Sequence, residues 1–245
     1  MSLLNDLKID DDIEESKDIL GAGSYVLESG VYQTKIDLAY VDKSKGGATG
    51  LNMVFKTQDG RELRQTLWVS SGDAKGNKNY YVNARSGKKE LLPGMNIANA
   101  ISMLSIGKSL SELDTTEKTV KLYDFESKSE VPTKVNVLAD LLEQPIDLGV
   151  IKQTVDKNVK GDDGKYVASG ETREENDIQA VFRHTDGLTL TEVKAKATDP
   201  AFRTKWSEKW TGVTKDRSTG AAPANTGSVA GTTGNAGTAT PSLFS

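Results

Sequence analysis

Polar and apolar positions alternate between Val31 and Tyr40, where Tyr32, Thr34, Ile36, Leu38 and Tyr40 interleave with Val31, Gln33, Lys35, Asp37 and Ala39. A repeat of two marks a half-buried strand, because successive side chains leave a pleated backbone on opposite faces. Turn residues Asp42 to Gly47 follow. In a second strand Leu51, Met53 and Phe55 share one face and Asn52, Val54 and Lys56 the other, and Gln58-Asp59-Gly60 predicts a hairpin turn. The third, Glu62 to Ser70, sends Leu63, Leu67 and Val69 one way and Arg64, Thr66 and Trp68 the other. A tryptophan on the polar side of that alternation does not serve the core.

A glycine-punctuated basic segment, Ser71 to Lys78, ends in Asn79 and the aromatic pair Tyr80-Tyr81. Ile97, Ile101 and Leu104, spaced i, i+4, i+7, predict a helix over 96–106. Strand-like text returns at 119–125, 131–137 and 146–155, and turn residues 157–176 read as a loop before a short strand at 178–182. Over 189–210 the pattern is helical, with Thr189 and Glu192 spaced as a capping box, Asp199-Pro200 as a second cap, and Phe202, Trp206 and Trp210 in one stripe read as docked on the chain's own domain. Three strands, a helix and further strands predict a mainly β protein with helices (α+β), an OB-type Greek-key barrel with a C-terminal helical extension and a disordered tail. The expected divisions are an acidic leader (1–22), the barrel (23–188), the helical extension (189–217) and a flexible Gly/Ala/Thr tail (218–245) with an apolar tip.

Composition removes many chemistries. With no cysteine, disulfides, thiolate nucleophiles and cysteine-bearing zinc sites are excluded, and a single histidine, His184, leaves no His-based triad or two-histidine metal centre. No carboxylate cluster nominates a magnesium nuclease, Gly72 to Lys78 lacks the phosphate-loop spacing, and Asp156 to Gly161 fails as a calcium loop because Lys160 and Val167 fall at ligand positions. The chain is therefore read as non-enzymatic, without cofactor or metal, and His184 as a strand-end or loop residue. No apolar run approaches the roughly 18 residues that span a membrane, and the acidic start is unlike a signal peptide, so no membrane association and a cytoplasmic location are expected.

The net charge of -4 conceals segregation. Basic residues outnumber acidic ones between Val31 and Glu90, whereas Asp6, Asp10, Asp11, Asp12, Glu14, Glu15 and Asp18 dominate the first twenty residues. Single-stranded nucleic acid needs cations for phosphates and flat rings for bases. The candidates are Lys35, Lys56, Arg64 and Trp68 on strands, Lys43 and Lys45 in the first turn, and Lys75, Lys78, Tyr80, Tyr81, Arg85 and Lys88 after the third strand. Lys165, Tyr166 and Arg173, with Lys157 and Lys160, are expected in the loop between the last two strands. Leu243 and Phe244, apolar residues at the end of a long tether, are candidates for binding a protein partner.

Several segments resemble the single-stranded-DNA-binding proteins of podovirus-type bacteriophages. They are Glu62-Leu63-Arg64-Gln65-Thr66-Leu67-Trp68-Val69, Lys75-Gly76-Asn77-Lys78-Asn79-Tyr80-Tyr81-Val82, Leu91-Leu92-Pro93-Gly94 with Asn96 to Ala100, and Gly170 to Asn176, within a similarity over about 20–210; the Ser242-Leu243-Phe244 ending is also like theirs. The resemblance implies an OB-fold, coating of single-stranded DNA in phage replication and recombination, homo-oligomers, contact with the phage helicase, polymerase or RNA polymerase, and a place in the cytoplasm of the infected bacterial host. This tail is neutral where better-known proteins of that function end in acidic residues. The alternative is an accessory factor of replication or transcription that works through protein contacts, with DNA binding incidental.

Overall fold

The computed structural model describes residues 26–124, 127–160 and 166–220. The chain opens with an antiparallel meander of β1 (Gly30–Lys43), β2 (Thr49–Thr57) and β3 (Glu62–Trp68). A separate two-stranded hairpin, β4 (Tyr80–Val82) and β5 (Lys89–Leu91), leads into helix α1 (Pro93–Ile106). Two further hairpins follow, β6 (Thr116–Asp124) with β7 (Ser129–Val137), and β8 (Pro145–Lys160) with β9 (Tyr166–Phe182). The described chain closes with α2 (Leu190–Lys194), α3 (Ala201–Trp210) and a short β10 (Lys215–Asp216) laid parallel on β8.

β1 organises this sheet: its first half pairs with β8, Thr34 to Lys43 with β2, and Tyr40 and Val41 with β7. The backbone order is β10-β8-β1-β2-β3, with β9 on the free side of β8. Among the described residues no ladder joins β3 to β9, so the sheet is not closed into a barrel; a side chain spans the seam instead. Gln65 on β3 donates from Nε2 to Asp177 Oδ1 at 3.0 Å, and its Oε1 accepts the N–H of Ile178 at 2.8 Å.

The core lies on the concave side. Ile36, Leu51, Met53, Phe55, Leu63 and Leu67 from the meander meet Ile146, Leu148 and Ile178, and α1 adds Ala98, Ile101 and Leu104. Each of these side chains other than that of Ala98 contributes about 1.5–3 kcal/mol on burial. α1 reaches the sheet because Gly94 has no side chain: a Cβ there would lie 2.4 Å from the Trp68 carbonyl oxygen. A second cluster holds α3 in place, with Trp206 packed on Ile151, Ala180 and Phe182. Gly149 makes room for that indole, whose ring would lie 3.0 Å from an added Cβ. The stripe is thus docked on the chain's own sheet through Trp206, while Phe202 stays exposed. His184 follows β9, as a strand-end residue should, and its Nδ1 lies 2.7 Å from Oδ1 of the fully buried Asp147. The other Asp147 oxygen takes a hydrogen bond from Arg203 on α3 at 2.8 Å.

Four expectations need correction. The unbroken alternation in β1 conceals a bulge between Ile36 and Leu38, where one extra residue reverses the faces. Leu38 and Tyr40 therefore leave the face of Thr34 and Ile36, and Ala39 is buried instead. Within the stretch 157–176 read as a loop, residues 157–160 and 166–176 are paired strand in the outer part of β8 and β9, with Lys157 paired to Glu171 at 2.7 Å. A hairpin wet on both faces needs no apolar alternation, so its text reads as turn. α1 begins at Pro93, whose missing N–H costs nothing in a first turn. Over 189–210 the helical pattern is interrupted at Lys196, which adopts a left-handed φ of 56°, and the second cap read at Asp199-Pro200 does start a helix, α3, but one residue later, with Pro200 itself as the cap. The Thr189–Glu192 capping box is present as read, and Glu192 also accepts the N–H of Phe202 at 2.8 Å, stitching the two helices. No helix among the described residues is long and apolar enough to cross a membrane.

Candidate nucleic-acid interface

The convex face of β1, β2 and β3 is laid out in rows by the register. At one end Asp42, Gly50 and Trp68 stand side by side, then Tyr40, Asn52 and Thr66, then Leu38, Val54 and Arg64, and last Lys35, Lys56 and Glu62. Trp68 is 48% exposed. Its indole lies across Gly50, where an added Cβ would come within 3.1 Å of the ring. A flat aromatic supported from below and open above is what a stacking base requires.

Charge runs along the same face. Arg64 projects into solvent and pairs with Glu62 on its own strand at 2.8 Å. Lys56 reaches Asp37, the extra residue of the bulge, at 2.8 Å, and that hydrogen bond raises the pKa of its ammonium group. Tyr40 is half-buried beside Arg64; burial, then the charge of Asp42, raises its phenol above the ordinary value, with Arg64 opposing. The β6–β7 arm forms a second wall, so that Tyr40, Asn52 and Arg64 face Lys121, Leu122 and Tyr123 across a groove of about 530 Å³.

At the Trp68 end two loops are locked together. The Asp73 N–H donates to the Gly46 carbonyl at 2.9 Å, and Gly72, at φ 81°, fits there because a Cβ would lie 2.7 Å from that oxygen. The turn carrying Lys45, which follows Lys43 at the end of β1, is thereby fixed against the loop carrying Lys75 and Lys78, and all four lysines are exposed. Lys75 and Trp68 line one cleft of about 390 Å³ with Thr66, Ser70, Ser71 and Pro93. On the neighbouring hairpin the ammonium groups of Lys78 and Lys89 lie 5.9 and 4.8 Å from the Tyr80 ring centre. Tyr81 donates to Glu90 at 2.7 Å, which raises its phenol pKa. Arg85 and Lys88 are exposed in the turn between those strands.

The structure thus brings Lys35, Lys56, Arg64 and Trp68 onto one face and places Lys43, Lys45, Lys75 and Lys78 at its end. Tyr166, which is 73% exposed, and Arg173, paired with Glu175 at 2.9 Å, stand instead on the projecting β8–β9 arm. Lys165, Leu243 and Phe244 lie outside the described residues. Sequence reading missed Tyr40, Gly50, Lys121 and Tyr123. Tyr40 was hidden by the bulge, whereas Lys121 and Tyr123 share one side of a visible alternation and were legible as a polar strand face. Among the described residues no group of three or more acidic or histidine side chains is placed to hold a metal ion. No protein-family model matches the chain, and no curated protein sequence matches it.

Proposed function

We propose that this protein belongs to the class of β-sheet modules that bind single-stranded nucleic acid across an open strand face. More particularly, we read it as a single-stranded-DNA-binding protein of phage replication and recombination. The observation that carries this is Trp68, seated on Gly50 and half in water, in line with Arg64 and Lys56 on one convex face. The strand order supports an OB-type arrangement: β1 lies between β2 and β8, β9 flanks β8, and α1 follows β3, with Gln65 in place of a closing ladder. OB-folds are partly open barrels that bind through strands two and three with two flanking loops. The β1–β2 turn and the β8–β9 arm are the corresponding flanks here.

In this reading Lys56, Arg64, Lys75, Lys78 and Lys88 hold phosphates, and Trp68, Tyr80 and Tyr81 stack on bases. Leu243 and Phe244 recruit replication proteins, and the bound form is a homo-oligomer in the host cytoplasm. A gel-shift series with single-stranded and duplex oligonucleotides at two salt concentrations tests it. Preferential, salt-sensitive retention of the single strand is expected, and equal or absent retention rejects the reading. Removing residues 241–245 is expected to leave that retention intact while abolishing capture of the replication partner.

A further inference from the structure

A pocket of about 310 Å³ opens at the far end of the convex face, lined by Gln33, Lys35, Lys56, Gln58, Pro145 and His184. Lys35 and Lys56 are register neighbours, and Pro145 at the start of β8 pairs with Lys35. From the Trp68 row to this one is about 20 Å, six β3 residues at roughly 3.3 Å each.

The imidazole in this pocket is held, not loose. Its Nδ1 faces Asp147, a side chain with no exposed surface, whose other oxygen is taken by Arg203. A carboxylate accepts hydrogen bonds only, so Nδ1 is the donor and Nε2 remains for the pocket. Because Arg203 already answers the Asp147 charge, the ring is not consumed as a counter-ion.

We propose that this pocket holds one backbone phosphate of the bound strand. Lys35 and Lys56 supply charge, and His184 supplies one directed hydrogen bond through Nε2. The inference rests on the single-strand reading above. Nε2 donates only when the ring is protonated, so binding draws a proton onto His184 and strengthens as the solution is acidified. The charged groups facing that equilibrium are Asp147 from β8, Arg203 from α3, Lys35 from β1 and Lys56 from β2, with Asp37 beside Lys56.

Proton NMR on the full chain tests this directly, because a single histidine gives one unambiguous pair of ring signals. Oligo(dT) of about ten nucleotides, within the span of one such fold, is expected to shift the ring signals while tryptophan fluorescence is quenched. His184→Gln keeps a donor toward Asp147; it is expected to weaken the oligonucleotide about three- to tenfold and to flatten the pH dependence. Ring signals that stay still while fluorescence saturates overturn the pocket and leave strand binding at Trp68 intact. If no oligonucleotide quenches fluorescence, the single-strand reading falls. Titration with inorganic phosphate alone then decides the pocket, since moving signals keep an anion site there and still ones remove it.

Discussion

Burying an apolar ring stabilises a fold by about 25 cal/mol for each Å² removed from water, and Trp68 forgoes much of that gain. In the proposed complex a base stacked on the ring would recover that loss. Trp68→Ala is therefore expected to weaken single-strand binding by about 1–3 kcal/mol in a fluorescence-anisotropy titration. Gly50→Val should act the same way without touching the ring's chemistry, because its Cβ would press on the indole and on Thr66. An unchanged affinity in both variants would remove the stacking site.

At the scale of elements, the sheet's outer pieces differ in how they are secured. Among the described residues the ladder from the β6–β7 arm to β1 consists of the Tyr40–Val137 and Val41–Asn136 pairs, so its Lys121 and Tyr123 wall rests on a narrow base. α3 is held more firmly, by Trp206 and by the Arg203–Asp147 bond. Arg203→Met removes the cation from the buried Asp147 carboxylate and leaves it the His184 bond; breaking a buried pair costs about 3–5 kcal/mol. Arg203 is itself 30% exposed, so about 2 kcal/mol is expected after solvent screening, read as a lower midpoint in urea denaturation. Element order was legible from alternation in β1 to β3 and from spacing in α1, since each buries one face. The β8–β9 arm was not, because a strand solvated on both sides carries no such signature.

For the whole molecule, a net charge of -4 coexists with a group of exposed lysines, Lys43, Lys45, Lys75 and Lys78, at the Trp68 end of the face. If Lys56, Arg64, Lys75, Lys78 and Lys88 each neutralise a phosphate, log affinity falls against log salt with a slope of about -3.5, at roughly 0.7 per contact on single strands. A slope near zero would contradict phosphate binding. We propose that the acidic residues Asp10 to Glu15 compete with DNA for this face. Removing residues 1–18 is expected to raise affinity at low salt, and no gain would argue against that competition.

The sequence by itself determined which strands alternate, that Arg64 and Trp68 share a polar face, that cysteine and two-histidine chemistry are excluded, and that Thr189 and Glu192 cap a helix. Those are properties of neighbours along the chain, set by strand and helix periods. Only the tertiary structure decided that a bulge turns Tyr40 outward, that Gly50 seats the indole, that Gln65 spans the β3–β9 seam, and that His184 shares Asp147 with Arg203. Each of these depends on residues distant in sequence being brought into contact, and the period of a single strand holds no record of what packs against it.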